Sequence, residues 1–383
     1  MGALKKFISF VIILFILFVG YNILKDGGLN NIGFLINGHQ APDYPTEFSL
    51  SNNTSLEQMF DEYGNNGNGA SWTGADGTYS VQLNNSCTMW IFDDTLLGSV
   101  LPNGTRYPIP ETPIVHNSIV IERNGVILKT LVNNSNGQLS GYLDPPSSND
   151  WYWPGAAIKS GNQIDILMGE YTTNGSNILS VKFLGNFLAI LNSSSFKVEN
   201  VYNLQKPNII WTEWLLPYNG ETYIFGTKYN STLAYVARVN GTNPLGSWSY
   251  FDGSGWTQNC AQVSPFFSSV TNGYSVATVG KYFAIITTDA SSPLAVFDGK
   301  IFAYFSPNIT GPYNDKELLY ITPEQSIYSN STEYGVWTYG PHIQAEIGNS
   351  TLVISYNVDG FGPRAITNVS VYRPRFIDVS FTL

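Results

Sequence analysis

The residues best suited to chemistry in this chain are a few carboxylates. Only 12% of its 383 residues are charged, about half the usual share. Yet Asp93 and Asp94 lie side by side at the end of the apolar run "CTMWIF", and Glu213 sits between two tryptophans in "IIWTEWLLP". Glu346 follows His342 by four positions in "YGPHIQAEI". A protonated carboxyl on one side of a glycosidic bond and a second carboxylate on the other are the parts that glycoside hydrolysis needs. Neighbouring strand residues point to opposite faces, so only one of Asp93 and Asp94 aims at a common site. That one is the candidate base or nucleophile. The plainer reading has both residues capping a turn through backbone N–H groups, with Thr95 helping.

Glu213 is the candidate general acid, because apolar neighbours raise a carboxyl pKa. The alternative is an exposed strand residue whose neighbours face the core. Trp211 and Trp214 present faces that stack on sugar rings, or they belong to the core. Glu346 is a further candidate acid. His342, on the same strand face, would orient it or a water, unless it is a satisfied histidine beside a turn. Asp150, directly before "WYWPG", is a substitute second carboxylate within reach of the same mouth. His39 and His116 suggest no site. Arg373 and Arg375 in "YRPRF" read as fasteners of the last strand. No Cys/His spacing suggests zinc, and no phosphate loop, nucleophile elbow, HExxH motif or dinucleotide turn appears, so neither metal nor cofactor is expected.

Residues so far apart meet only if a scaffold brings them together. After a short predicted helix over 55–63 and a loop through "GNNGNGASWTGADG", the pattern is strands and turns. "NSIVIERNGVILKTLV" places Asn124-Gly125 between apolar runs, a hairpin signal. A weak repeat of roughly 50 to 65 residues follows. Its units open at "TMWIFDDTLLG", "DWYWPGAAIKSG", "IIWTEWLLPYNG", "SPFFSSVTNGYSVATVG" and "WTYGPHIQAEIG". Each is long enough for one four-stranded blade. The expected fold is therefore all-β, a five-bladed β-propeller over residues 45–383, with a strand from 45–85 closing the last blade. A β-sandwich, or a tandem pair, is the alternative.

The segments "IFDDT", "WYWPGA", "YIFGTK", "YVARV", "FAYFSPNITGPY", "YGPHIQAE" and "ISYN" cover the chain from about 90 to 383. Their order resembles a family of five-bladed propellers related to the arabinanase, invertase and levansucrase glycoside hydrolases. The resemblance implies a channel mouth lined by first strands, Asp94 as the first-blade carboxylate, and a polar pair at His342 and Glu346 in the last blade. Two departures bear on catalysis. Asp93 replaces a small residue, and "WYWPGA" lacks an acidic residue where a second carboxylate is wanted.

The first 44 residues have a different character. Residues 1–6 form a stub with Lys5 and Lys6. Residues 7–24, "FISFVIILFILFVGYNIL", are free of charge and would span about 27 Å as a helix. Charge before the span predicts a single-pass anchor with the N-terminus cytoplasmic and the bulk extracellular; a cleaved signal peptide is the rival reading. Residues 25–44 read as a linker. Thirteen Asn-x-Ser/Thr sequons agree with exterior placement: Asn52, Asn53, Asn84, Asn103, Asn133, Asn174, Asn192, Asn230, Asn240, Asn308, Asn330, Asn349 and Asn368. Outside the cell Cys87 and Cys260 would form a disulfide, or they remain two unpaired thiols. A net charge of −10 argues against nucleic acid as a partner. The charge-poor composition resembles surface proteins of acidophilic archaea or of their viruses. The expected function is a membrane-anchored extracellular glycan-active protein, a glycoside hydrolase with glycan as substrate. The alternative is a non-catalytic glycan- or protein-binding surface propeller.

Overall fold

The computed structural model describes residues 44–383, except 110, 148, 174–180, 206–207, 229–230, 293–294, 325–334 and 361–362. The candidate anchor at 7–24 lies outside the described residues. Among the described residues no helix is long and apolar enough to cross a membrane.

The described chain is all-β in character. Five antiparallel meanders follow one another, with opening strands Tyr79–Asn84, Asp150–Ser160, Ile210–Tyr218, Ser275–Val279 and Val336–Ile347. These opening strands touch in cyclic order, the fifth against the first, a propeller-like arrangement. The strand Phe48–Asn52 is the outermost member of the fifth sheet, beside the C-terminal strand Arg375–Phe381. Their register runs from Phe48↔Phe381 to Asn52↔Ile377. One sheet thus joins both ends of the described chain.

The first sheet starts earlier than the repeat suggested. "CTMWIF" (Cys87–Phe92) is its second strand, and Tyr79–Asn84 opens it. The hairpin at Asn124-Gly125 forms as expected, with both residues at positive φ, 53° and 76°. The short helix α1 spans Thr54–Asn65, and Asn53 caps it by accepting the Leu56 N–H at 3.2 Å. It buries Met59 and Phe60 among Trp72, Trp90, Phe92 and Phe376. Arg373 fastens the C-terminal segment to this region, bonding Asp61 at 2.7 Å, Asn65 at 3.1 Å and the Thr73 carbonyl at 2.8 Å.

Buried asparagines tie successive sheets together. Asn117 bonds the Leu143 and Tyr152 carbonyls and accepts the Leu143 N–H. Asn186 does the same for Ile209 and Trp211. Each satisfies backbone groups that a bend at a sheet junction leaves unpaired. The opening strands also carry register shifts, between Pro154 and Ala157, Ile210 and Trp214, and Tyr339 and His342. Such bulges break the two-residue alternation and re-aim side chains.

Cys87 is buried in a strand and Cys260 is exposed in a three-residue 3₁₀ turn, and both are free thiols. The expected disulfide is therefore not present. Cys87 lies in the first sheet and Cys260 in the turn after Trp256–Thr257, the edge strand of the third, which no spacing in the sequence revealed.

Candidate functional site

The site forms where the opening strands begin. The chain enters the first sheet through Asp76-Gly77, with Gly77 at φ +60°. Asp93 donates its N–H to the Asp76 carbonyl at 2.9 Å, and Asp76 donates to the Asp94 carbonyl at 3.3 Å. This pairing sets the three aspartates side by side. The Asp93 carboxylate fills the space a Gly77 Cβ would occupy, with Oδ2 only 2.3 Å from that position. Gly77 is thus required both by its conformation and by this close approach.

Asp76 Oδ2 accepts the Tyr339 hydroxyl at 2.6 Å. Among the described residues its Oδ1 is sealed from solvent without a partner, as is Asp93 Oδ1. Burial, then the Asp94 charge, push the Asp76 carboxyl up to about 7, against the Tyr339 bond. Burial and the neighbouring Asp76 and Asp94 charges hold Asp93 well above the usual range. Asp359, buried at 3% exposure, is likewise raised, first by burial and then by Asp76 and Asp94. Like charges this close do not all ionise together.

Asp94 has a different surrounding. Its Oδ1 faces His116 Nδ1 at 2.9 Å and the Trp153 indole N–H at 3.1 Å. Thr95 beside it bonds the Asp93 carbonyl and Ser118, holding the turn.

Glu213 comes from the third sheet, aimed by the bulge between Ile210 and Trp214. It is 4% exposed. Oε1 accepts the Thr227 hydroxyl at 3.0 Å, and Oε2 accepts the Gly273 N–H at 2.7 Å. Burial pushes its carboxyl up to about 7 even against these bonds. Its donor Gly273 lies against His342, which bonds the Thr78 carbonyl beside Gly77, so Glu213 stands on the side of the sheet junction where the aspartates gather.

His342 is buried and forms part of the floor. Its Nδ1 lies 3.1 Å from the Thr78 carbonyl, which only accepts, so Nδ1 carries the hydrogen. Burial holds the ring neutral, down to about 3. It stacks on Tyr79 at 4.0 Å and lies parallel to Trp214 at 6.4 Å. A cavity of about 170 Å³ adjoins these rings, lined in part by Tyr79, Trp214, Gln344 and Glu346.

The structure thus brings Asp94, Glu213, His342 and Trp214 to one region and places Glu346, Trp211 and Asp150 outside it. Glu346 is exposed, past a second register shift between Ile343 and Ala345, and accepts Thr278 at 3.1 Å. That shift undoes the shared face that a regular strand would give His342 and Glu346. Trp211 is core, packed edge-on against Trp248 at 5.7 Å, and offers no face to a ligand. Trp214 is half-buried and lines the cavity. Asp150 opens the second sheet beside Glu170, which its charge helps raise after burial, and makes no side-chain bond to the aspartates.

Sequence reasoning missed Asp76, Asp359, Tyr339, Trp153 and His116. Asp76-Gly77 lay in a segment read as plain loop. The Asp-Gly pair just before the alternating "TYSVQL" was the available signal. Nothing in the sequence pointed from His116 to Asp94.

Among curated proteins none matches the sequence. Among solved structures, a "putative hydrolase" from Bacteroides ovatus superposes with a TM-score of 0.71 at 19% identity, over 88% of this chain and 92% of that one. The likeness establishes the shared fold. Bacillus subtilis levansucrase aligns with a TM-score of 0.46 at 12% identity, over 86% of this chain and 93% of that one. The GH43 protein BlXynB of Bacillus licheniformis aligns at 0.44 and 11%, over 82% and 51%. The model of the family described as Domain of unknown function (DUF5005) matches residues 57–381, and the chain belongs to that family.

Proposed function

We propose that the protein is a glycoside hydrolase built on a five-bladed propeller, with Glu213 as general acid and Asp94 as the second carboxylate. The observation that carries this reading is the meeting of a buried, proton-holding Glu213 with the Asp76–Asp93–Asp94 group, delivered by different sheets. Glu213 sits at about 7, so at mildly acidic pH it holds a proton to give to the departing glycosidic oxygen. The C–O bond to the leaving group breaks as that oxygen takes the proton. Water supplies the hydroxyl that ends on the sugar carbon, and its remaining proton restores the acid. Asp94 Oδ2 makes no hydrogen bond among the described residues and is the atom free to act as base or nucleophile. Asp76, raised to about 7 and bonded to Tyr339, shares the local proton and limits the negative charge beside Asp94.

The aromatic surround of Trp153, Tyr79 and Trp214 supports a sugar ligand. The charge-free segment 7–24 supports display outside the cell on an N-terminal anchor. Of the ten sequons in the described residues none is buried, which supports glycan attachment. A turn role competes for Asn84, Asn103 and Asn368, which bond their own Ser86, Thr105 and Ser370.

The test is hydrolysis of a panel of aryl furanosides, aryl pyranosides, fructans and plant polysaccharides by the purified chain. E213Q and D94N are expected to lose turnover by at least ~100-fold while still binding substrate. Binding without turnover in the unmodified chain would favour the second reading, a glycan-binding surface propeller. The indole in the second sheet, where a carboxylate was expected, is the observation that favours it.

A further inference from the structure

We infer that His116 and Trp153 are positioning residues that together hold Asp94 as the proton-accepting carboxylate of the site. The inference rests on the role given to Asp94 above. Both donors converge on one oxygen, His116 Nδ1 at 2.9 Å and Trp153 Nε1 at 3.1 Å from Oδ1. The other oxygen is thereby left for the reacting proton or carbon. An indole N–H only donates, so Trp153 fixes that oxygen as an acceptor at any pH. A protonated imidazole adds a charge-assisted bond to the same atom.

The second sheet, whose "WYWPGA" segment lacks an acidic residue, thus supplies an N–H donor. An aromatic wall fixes both donors. The His116 ring stacks on Trp151, with centroids 4.7 Å apart and planes at 20°. Trp151 meets Trp153 edge-on at 5.5 Å, and Trp153 leans on Tyr171 at 4.6 Å. Trp151 and Trp153 are alternate residues of one strand and share a face.

The charges facing this pair are accounted for on every side. Burial lowers His116, but the bond and charge of Asp94, with Asp144 behind, outweigh burial and raise it above the ordinary imidazole value. Asp94 in turn acts on Asp76, Asp93 and Asp359, all of them acidic. Among the described residues His116 is the basic side chain bonded to this group. It is 42% exposed on its side chain, open to solvent protons.

The chain has three histidines, and His342 is held neutral, so imidazole NMR of the full chain in detergent micelles follows only His39 and His116. The H39Q variant assigns them. His116 is expected to titrate above the ordinary value of about 6.5, and below it in D94N. In pH profiles of kcat/KM, H116Q is expected to alter the alkaline side of the profile, which His116 shares with the general acid Glu213. W153F is expected to lower kcat roughly ten- to hundredfold, the worth of one strong hydrogen bond, with KM nearly unchanged. An unmoved His116 titration in D94N would overturn the inference, as would an H116Q profile identical to the parent. If the chain hydrolyses nothing while the titration still shifts, the bond stands and the hydrolase reading fails, along with the catalytic role given to Asp94.

Discussion

Tyr339 and Asp76 are joined at 2.6 Å although 263 positions separate them. The bond links the fifth sheet to the loop entering the first. It ties ring closure to the carboxylate group. Y339F leaves Asp76 Oδ2 without this donor in a buried setting. The expected cost is about 1–3 kcal/mol, read as a lower urea midpoint with an unchanged m-value. An unchanged midpoint would mean that solvent replaces the hydroxyl and that the junction is open.

The buried carboxylates make stability fall as pH rises. Glu213 and Asp76 are raised to about 7, Asp165 to about 6, and Asp93 and Asp359 well above the ordinary range, burial being the first cause in each. The folded chain then holds protons that the unfolded chain has released, so stability drops between pH ~4 and the folded values. His116 acts in the same direction, since its raised value adds stability at lower pH. His342, lowered to about 3, acts against it, losing stability as pH falls below ~6.5. One imidazole opposes five carboxylates, so the net slope from pH 4.5 to 7 is negative. Urea unfolding at pH 4.5, 6 and 7.5 checks this. E213Q should flatten the slope, leaving the variant relatively more stable at pH 7.5.

The thiols give a direct test of the fold. Cys260 is exposed and Cys87 is buried at 4% exposure. A thiol reagent added to the native protein should label one cysteine, and in denaturant two, as counted by intact mass. Failure to label Cys260 without a reductant would mean it is oxidised, and a mass that fits an internal disulfide would contradict the separation of the first and third sheets.

Strand content and most of the sheet openings were legible because apolar alternation and turn residues are local signals. The opening strand of the first sheet was not. "TYSVQL" is short and its entry loop is glycine-rich, so Asp93 and Asp94 appeared to end a first strand. They end a second. Glu213 was legible from its tryptophan neighbours, but which tryptophan faces the channel was not. The bulge between Ile210 and Trp214 decides that, and a bulge leaves little trace in composition. The same holds for Glu346, whose expected place beside His342 depended on an alternation that the strand does not keep. His116 became visible only once the chain was folded, because its partner lies on another turn of the same sheet and its support on the next sheet.

The two tryptophans around Glu213 should therefore behave differently. Trp211 is 2% exposed, wedged among Trp248, Tyr250 and the core of the first three sheets. W211A opens a cavity in that core and is expected to cost about 3–5 kcal/mol. Trp214 is half-buried and lines the cavity, and among the described residues its indole N–H is sealed without a partner. W214F keeps the ring stacked near His342 and removes that unsatisfied donor, so its stability should stay within ~1 kcal/mol of the parent. If Trp214 forms part of the floor under the bound sugar, W214F should instead change KM. Urea midpoints and substrate titrations of the two variants separate the roles. A destabilised W214F together with a near-neutral W211A would reverse the assignment and require Glu213 to face the core.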